Sequence, residues 1–219
     1  MRAHTIPAEL FLLLTNDAGR QDSTQYRRQA LAAAAVAELA LRERVALGQE
    51  RTPRLRVLDT APTGLPALDQ ALVALTQLDG KTVKAVISHR SMDLTETIGE
   101  VFVAEGAVTR KDGWFLTSWP VADSSLERAL RARLAAAVTD PAVASLQDGI
   151  LLELLRALRI AHRILRDDLP GIGRRDLDRR IEALEIDHPA AIAVRKIMDD
   201  MTAAMIATTA AAGAAGAAG

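Results

Sequence analysis

The chain has 219 residues, of which 49% are hydrophobic, and it carries 28 acidic against 27 basic side chains. This length and apolar content can supply the core of one large domain, while the near balance of charge means that attraction to phosphates or anionic lipids requires a local patch. Cysteine is absent, which excludes disulfides, thiolate nucleophiles and cysteine-ligated metals, and a 3% aromatic content leaves little material for stacking on bases.

The apolar stretches predict no membrane span. Residues 10–14 form too short a run for the apolar core of a signal peptide and follow Glu9 directly. Residues 201–219 carry no charge but consist mainly of Ala, Gly and Thr, whose transfer free energy into lipid is far weaker than that of a Leu-rich span. We therefore predict a cytoplasmic protein, with any membrane contact peripheral and on the inner face of a membrane.

Capping residues recur along the chain and predict an all-α fold, a bundle of helices with one β-hairpin. A long helix can be capped by Asp22 or Ser23 and run to about Leu47. Residues 174–186 and 189–208 predict the last two helices, after a loop at 170–173. Further starts are indicated at Asp93, Asp123, Ser124 and Asp140-Pro141. We expect one domain at 5–208 and an Ala/Gly-rich tail at 209–219.

Residues 107–119 predict the hairpin, because Asp112-Gly113 lies there between two runs rich in β-branched and aromatic residues. This segment also contains Trp114, Phe115 and Trp119. Adjacent residues of a strand point to opposite faces, so at least one ring of Trp114 and Phe115 is expected to be exposed or at an interface. The hairpin is thus the predicted association element, and we expect a homo-oligomer.

Signatures of catalysis are absent from the sequence. The four histidines, His4, His89, His162 and His188, are widely spaced and fit no metal-binding pattern, and His162 falls among leucines on a helical wheel. The segment 171–173 lacks the third glycine and the preceding strand of a dinucleotide-binding turn. We expect no catalytic residue, no metal and no cofactor.

Four arginines are spaced three, four and three residues apart, which predicts a stripe on one side of a single helix. Two interpretations remain open: contact with phosphates or a partner's carboxylates, or a solvated face that nearby aspartates neutralise. The stripe consists of Arg156, Arg159, Arg163 and Arg166.

The segment 59–72, Asp-Thr-Ala-Pro-Thr-Gly-Leu-Pro-Ala-Leu-Asp-Gln-Ala-Leu, is required by no periodicity or catalytic chemistry. Together with residues 38–45 and 104–108, it resembles the Golgi phosphoprotein 3 family, and the similarity extends from Ile6 to about the last helix. The resemblance implies helices around a central apolar helix, with one hairpin that serves oligomer formation and membrane contact. It also implies a non-enzymatic cytosolic protein that binds phosphatidylinositol 4-phosphate and connects membranes to protein partners.

At the positions of the family's lipid site, this chain differs from the eukaryotic members that it resembles. In eukaryotic members, a tryptophan ahead of the second helix, an arginine inside it and two arginines before the hairpin hold the head group. The corresponding positions in this chain are Ser23, Ala32, Met92 and Thr95. They supply no positive charge for a phosphate dianion, so the eukaryotic arrangement is not expected.

Nearby residues can substitute for the missing head-group contacts, because a tyrosine offers an aromatic wall and a hydroxyl while arginines offer charge. The candidates for binding an anionic head group are Tyr26, Arg27, Arg28 and Arg90. The use of 23 arginines against 4 lysines, with alanine runs, indicates a GC-rich bacterial genome, in which neither a Golgi nor this lipid need exist.

Two alternatives compete with peripheral membrane association. Residues 84–119 can be read as helix, turn, helix and wing of a nucleic-acid-binding regulator, with 92–105 as recognition helix. That segment carries four carboxylates and no Lys or Arg, so we expect no nucleic-acid partner. The second alternative is a protein interaction module that does not bind lipid.

Overall fold

The computed structural model describes residues 5–21, 25–48, 50, 52–114 and 117–184. Within them the chain is mainly helical, which confirms the predicted fold class. The α-helices there are α1 (Ile6–Leu13), α2 (Arg27–Leu41), α3 (Pro66–Gln77), α4 (Val83–Ile87), α5 (Thr95–Ala104), α6 (Ser125–Thr139), α7 (Leu146–Ala157), α8 (Ala161–Leu165) and α9 (Arg174–Glu182). Antiparallel pairs join β1 (Val45–Leu47) to β2 (Leu55–Val57) and β3 (Lys111–Asp112) to β4 (Thr117–Ser118).

The core is built around α2, whose residues 30–37 are wholly buried and consist of six alanines, Leu31 and Val36. Alanine has the highest helix propensity, and its short side chain lets neighbouring helices approach closely. Helices α1, α3, α4 and α7 all contact α2. None of the helices in the described part of the chain is both long and apolar enough to cross a bilayer.

The end of α2 differs from its prediction. The helix stops at Leu41, where Glu43 adopts the left-handed conformation and its N–H bonds the carbonyl of Ala40, while the N–H of Arg44 bonds that of Leu39. These two bonds close the helix in a Schellman motif. The expected extension to Leu47 is wrong because β1 follows at once and pairs with β2, which also adds a second strand pair to the single hairpin that we expected. The proposed caps at Asp22 and Ser23 lie outside the described residues.

Other helix starts agree with the capping signals to within a few residues. The carboxylates of Asp93, Asp123 and Asp140 accept hydrogen bonds from the backbone N–H groups of the residues two positions later. A capping box at Ser145 and Asp148, which was not predicted, starts α7. The predicted helix at 189–208 and the tail at 209–219 lie outside the described residues.

The prediction of one helix carrying the four-arginine stripe is wrong. Helix α7 ends at Ala157 and α8 starts at Ala161, and Arg159 between them has a φ of 60°. The N–H groups of Arg159 and Ile160 bond the carbonyls of Arg156 and Leu155, which is a second Schellman motif. Arg156 is also bound to Glu153, so the solvated and neutralised interpretation of this face gains support.

A buried ionic network ties α1 to α6 and α7. Glu9, in the wholly buried α1, accepts two hydrogen bonds from the guanidinium of Arg133 at 3.0 and 2.6 Å and one from Gln147 at 2.7 Å. The Nε of Arg133 donates to Asp148 at 2.6 Å, and Asp148 is also buried. The hydrogen bonds to Glu9 raise the pKa of Arg133. One cation therefore pairs with two buried carboxylates, and Gln147 adds a neutral donor to Glu9.

We predict that Arg133→Met lowers the free energy of unfolding by about 3 kcal/mol, because Glu9 and Asp148 would stay buried without a cation. This loss lies at the low end of the range for breaking a buried ion pair, because the Arg133 side chain is itself 39% exposed. The measurement is urea unfolding followed by circular dichroism. The control is Arg179→Met, whose exposed pairing with Asp176 contributes about 0.5 kcal/mol or less. Equal losses in the two variants would contradict the prediction.

Candidate anion-binding cleft

A cleft of about 980 Å³ opens between the start of α2, the start of α5 and the β3–β4 hairpin. Residues 18–21, which precede α2, complete its wall. Two smaller clefts of about 380 and 320 Å³ lie beside α3 and are lined mainly by apolar surface. The large cleft differs from them because several cationic side chains face it.

The base of the hairpin is anchored by Trp119, which lines the cleft and is only 2% exposed. Its ring packs edge-on against Phe11 at 6.4 Å between centroids and lies directly over Gly99 of α5. The backbone N–H of Trp119 donates to the carbonyl of Gly19 at 2.8 Å, and a Cβ on Gly19 would collide with the backbone of Trp119 and Pro120. The hairpin thus enters the cleft wall from a fixed position.

Arg27, the first residue of α2, is a buried cation in the cleft wall. It is 4% exposed, its guanidinium lies 4.1 Å from the centroid of the Phe11 ring, and one of its amino groups donates to Thr15 at 2.9 Å. Among the described residues, no acceptor is within hydrogen-bonding reach of its buried Nε. Burial lowers the pKa of Arg27 to about 10, against the opposing charge of Asp93.

The direction of this shift means that the charge of Arg27 opposes folding at neutral pH. A cation whose folded pKa lies below its unfolded pKa is destabilising at every pH below the folded value, and the penalty disappears only as pH rises toward the unfolded value. The cost is on the order of 3 kcal/mol. An anion bound in the cleft would offset part of this cost.

Three exposed cations share the cleft with Arg27. Arg20 precedes α2, Arg28 follows Arg27, and Lys111 belongs to the hairpin. The cleft is also lined by Asp93, just before α5. Sequence reasoning missed Arg20 and Lys111, and Lys111 is brought to the start of α2 only by long-range packing.

The structure places two of the four head-group candidates in the cleft wall. Arg27 and Arg28 line the cleft. Tyr26 forms the N-terminal boundary of α2 and packs partly against the core, and Arg90 lies exposed in the 3-10 helix Arg90–Met92. Within the described residues, neither Tyr26 nor Arg90 belongs to the cleft wall. Their role in binding stays a prediction.

The positions that align with the eukaryotic lipid site are also separated. Ala32 and Met92 are wholly buried in the core, and neither side chain can meet a ligand. Thr95 lines the cleft at the start of α5, and Ser23 lies outside the described residues. The cationic side chains of this cleft therefore come from other positions of the chain.

The tip of the hairpin carries an exposed tryptophan. Trp114 is 92% exposed and follows Gly113, which lines the cleft. Phe115 lies outside the described residues. Trp119, which we had grouped with these two rings as part of the association hairpin, belongs to the core instead. Asp112 itself belongs to β3 and pairs with Thr117 of β4.

Arg110 clamps the hairpin to α5. Its Nη1 donates to Glu96 at 2.9 Å and also to Glu100, and its Nε donates to Asp112 at 2.9 Å. The guanidinium also lies 5.5 Å from the centroid of the Trp119 ring. The hydrogen bonds to Glu100, Glu96 and Asp112 raise the pKa of Arg110. The exposed carboxylates of α5 are therefore used to hold the hairpin in place.

Metal-binding geometry does not occur in the described part of the chain, where no group of three or more ligating side chains is found. His89 bonds Ser91 at 2.7 Å through Nδ1, and His162 is half-buried in α8. His4 and His188 lie outside the described residues.

The comparisons with known proteins agree with the fold. A family model described as Golgi phosphoprotein 3 (GPP34) matches residues 6–201, a range that includes the cleft and the hairpin. Comparison with curated proteins gives no match.

We predict that Gly99→Ala lowers the free energy of unfolding by about 2 kcal/mol, because overpacking a core is costly. A Cβ at this position would lie 2.5 to 2.6 Å from atoms of the Trp119 ring. Thermal unfolding and the near-ultraviolet circular dichroism of the tryptophans would measure the effect. The control is Gly173→Ala, where a Cβ meets nothing within 4 Å and the loss should stay below about 1 kcal/mol. A Gly99→Ala protein with the parent's stability and spectrum would show that Trp119 does not fix the hairpin.

Proposed function

Because the chain belongs to the Golgi phosphoprotein 3 (GPP34) family, we propose that it is a non-enzymatic protein that associates peripherally with membranes. It does so by binding an anionic head group in the cleft. The observation that carries this proposal is Arg27, a buried cation with an unsatisfied Nε in the wall of a cleft that is open to solvent. Buried charges are normally paired, so an unsatisfied one at a cleft is typical of a ligand site.

The charges around Arg27 support the same ligand class. Arg20, Arg28 and Lys111 are exposed and line the same cleft, so they can add contacts to a phosphate without large rearrangement. Each basic side chain near an anionic membrane surface contributes about 1 kcal/mol of attraction. The formal charge of the whole chain is only -1, so this local patch has to supply the attraction.

Trp114 supports a membrane as the source of the head group. The hairpin segment that lines the cleft leads directly to this exposed ring. Tryptophan is favoured at the boundary between water and lipid, where its ring is partly buried and its N–H stays hydrated. The proposed arrangement therefore has the tip of the hairpin in the interface and the cleft over a head group.

The alternatives have less support. In the winged-helix interpretation α5 would enter the major groove of DNA, but its exposed face carries Glu96 and Glu100, which bind Arg110. A protein interaction module without lipid binding would use the hairpin and leave the charge of Arg27 unexplained. A homo-oligomer formed through the hairpin and a location on the inner face of a membrane remain part of the proposal.

We predict that Arg27→Met combined with Arg28→Met reduces binding to anionic vesicles about tenfold or more, because charge-assisted contacts to the head group are lost. Flotation with vesicles of phosphatidylcholine, with and without phosphatidylglycerol, measures this, and parent binding should weaken as salt rises. Arg27→Met alone should unfold no more readily than the parent, since a buried charge is removed.

The matched control is Arg179→Met, which removes an exposed arginine of α9 outside the cleft wall. It should bind vesicles as the parent does. If Arg179→Met abolished binding while the double variant at positions 27 and 28 bound normally, the cleft would not be the head-group site.

We predict that Trp114→Ser reduces partitioning onto the same vesicles about tenfold, because burial of an aromatic ring at the interface contributes on the order of 1.5 to 3 kcal/mol. The control is Leu58→Ser, which removes another exposed apolar side chain, 60% accessible and away from the hairpin. Light scattering on both variants would detect any change in oligomeric state. If Trp114→Ser floated with vesicles as the parent does and kept the parent's mass in solution, the hairpin would have no role in association.

A further inference from the structure

Besides its cations, the cleft contains a carboxylate, whose negative charge opposes the binding of a simple anion. Asp93 lines the cleft together with Arg27 and Arg28, close enough for its charge to act on Arg27. A phosphate placed among the cations is therefore repelled by Asp93, unless the ligand brings a positive charge of its own to that wall.

The Asp93 carboxylate is held in a defined position. Its Oδ1 accepts a hydrogen bond from the N–H of Thr95 at 3.2 Å, and its backbone carbonyl accepts one from Gln70 of α3 at 3.0 Å. The side chain is exposed, and within the described residues no hydrogen bond or ion pair is made by Oδ2. One carboxylate oxygen thus serves the start of α5, and the other is open to a ligand.

Resting on the proposed function, we infer that the ligand is zwitterionic: a phosphate ester that carries a primary ammonium group, as phosphoethanolamine head groups do. The phosphate contacts Arg27 with Arg28, Arg20 or Lys111, and the ammonium, two carbons away from the ester oxygen, donates to Asp93. A primary ammonium has three N–H donors for this contact, whereas the trimethylammonium of a choline head group has none. Asp93 therefore selects the amine-bearing phosphate over inorganic phosphate and over phosphocholine.

The decisive variant is Asp93→Asn, because the amide oxygen keeps the acceptor for the Thr95 N–H while the negative charge is removed. Asp140→Asn is the matched control: Asp140 accepts from the Ala142 N–H in the same way at 3.1 Å, outside the cleft. Both variants should fold as the parent does, which circular dichroism verifies.

The probes are O-phosphoethanolamine, phosphocholine and inorganic phosphate, titrated calorimetrically into the full chain. The parent and Asp140→Asn should bind O-phosphoethanolamine about fivefold more tightly than either other probe, a ratio typical of one exposed ion pair. In Asp93→Asn this preference should vanish, and inorganic phosphate should bind more tightly than it does to the parent. A preference that survives in Asp93→Asn overturns the inference, as does a parent with no preference.

Vesicle flotation distinguishes a failure of this inference from a failure of the proposed function. Phosphatidylcholine vesicles that contain phosphatidylethanolamine should capture the parent. Vesicles that contain phosphatidylglycerol should bind Asp93→Asn more tightly than they bind the parent. Capture by phosphatidylglycerol with no preference for the amine leaves the proposed function standing and overturns the inference. Selective binding of soluble O-phosphoethanolamine without capture by any vesicle supports the ligand class and overturns the membrane role.

Discussion

The packing of Trp119 on Gly99 is the contact on which the geometry of the cleft depends. Because Gly99 has no side chain, the indole can lie flat on α5 and beside Phe11 of α1. Strand β4 directly precedes Trp119, so this one buried contact sets the position of the hairpin and, with it, of Lys111 and Gly113 in the cleft wall. Arg110 adds a second attachment, from the hairpin to the carboxylates of α5. Two small strands that would be marginal alone are thereby held against a rigid helix.

Charge is handled in two different ways in this molecule. The buried carboxylates Glu9 and Asp148 share Arg133, so both are paired within the fold, and the shared cation specifies how α1 meets α6 and α7. Arg27 is buried with its Nε unsatisfied and faces an open cleft. The first arrangement stabilises the protein, whereas the second costs stability and is consistent with a binding residue, in which affinity for a ligand offsets an unfavourable charge.

Local signals in the sequence predicted the helical class, the starts of α5, α6 and α9, and an exposed ring at residue 114 or 115, since capping groups and strand alternation act between near neighbours. They failed where distant partners decide the outcome. Residues 45–47 continue a helical pattern until β2 pairs with them, and Arg159 breaks the arginine stripe by adopting a left-handed conformation that its side chain does not favour. Of the residues that line the cleft, Arg27 and Arg28 are adjacent in sequence and could be proposed from it, whereas Lys111 and Asp93 reach the cleft only through the tertiary fold.

The network around Glu9 also bears on the order of events during synthesis. Glu9 lies in α1, yet its cation is 124 residues further along the chain and its amide partner, Gln147, is 138 residues further. Until α6 and α7 have emerged, α1 cannot dock with its carboxylate neutralised, and the apolar face that it offers to α2 remains accessible. We therefore expect folding of this domain to be completed only after α6 and α7 have been synthesised.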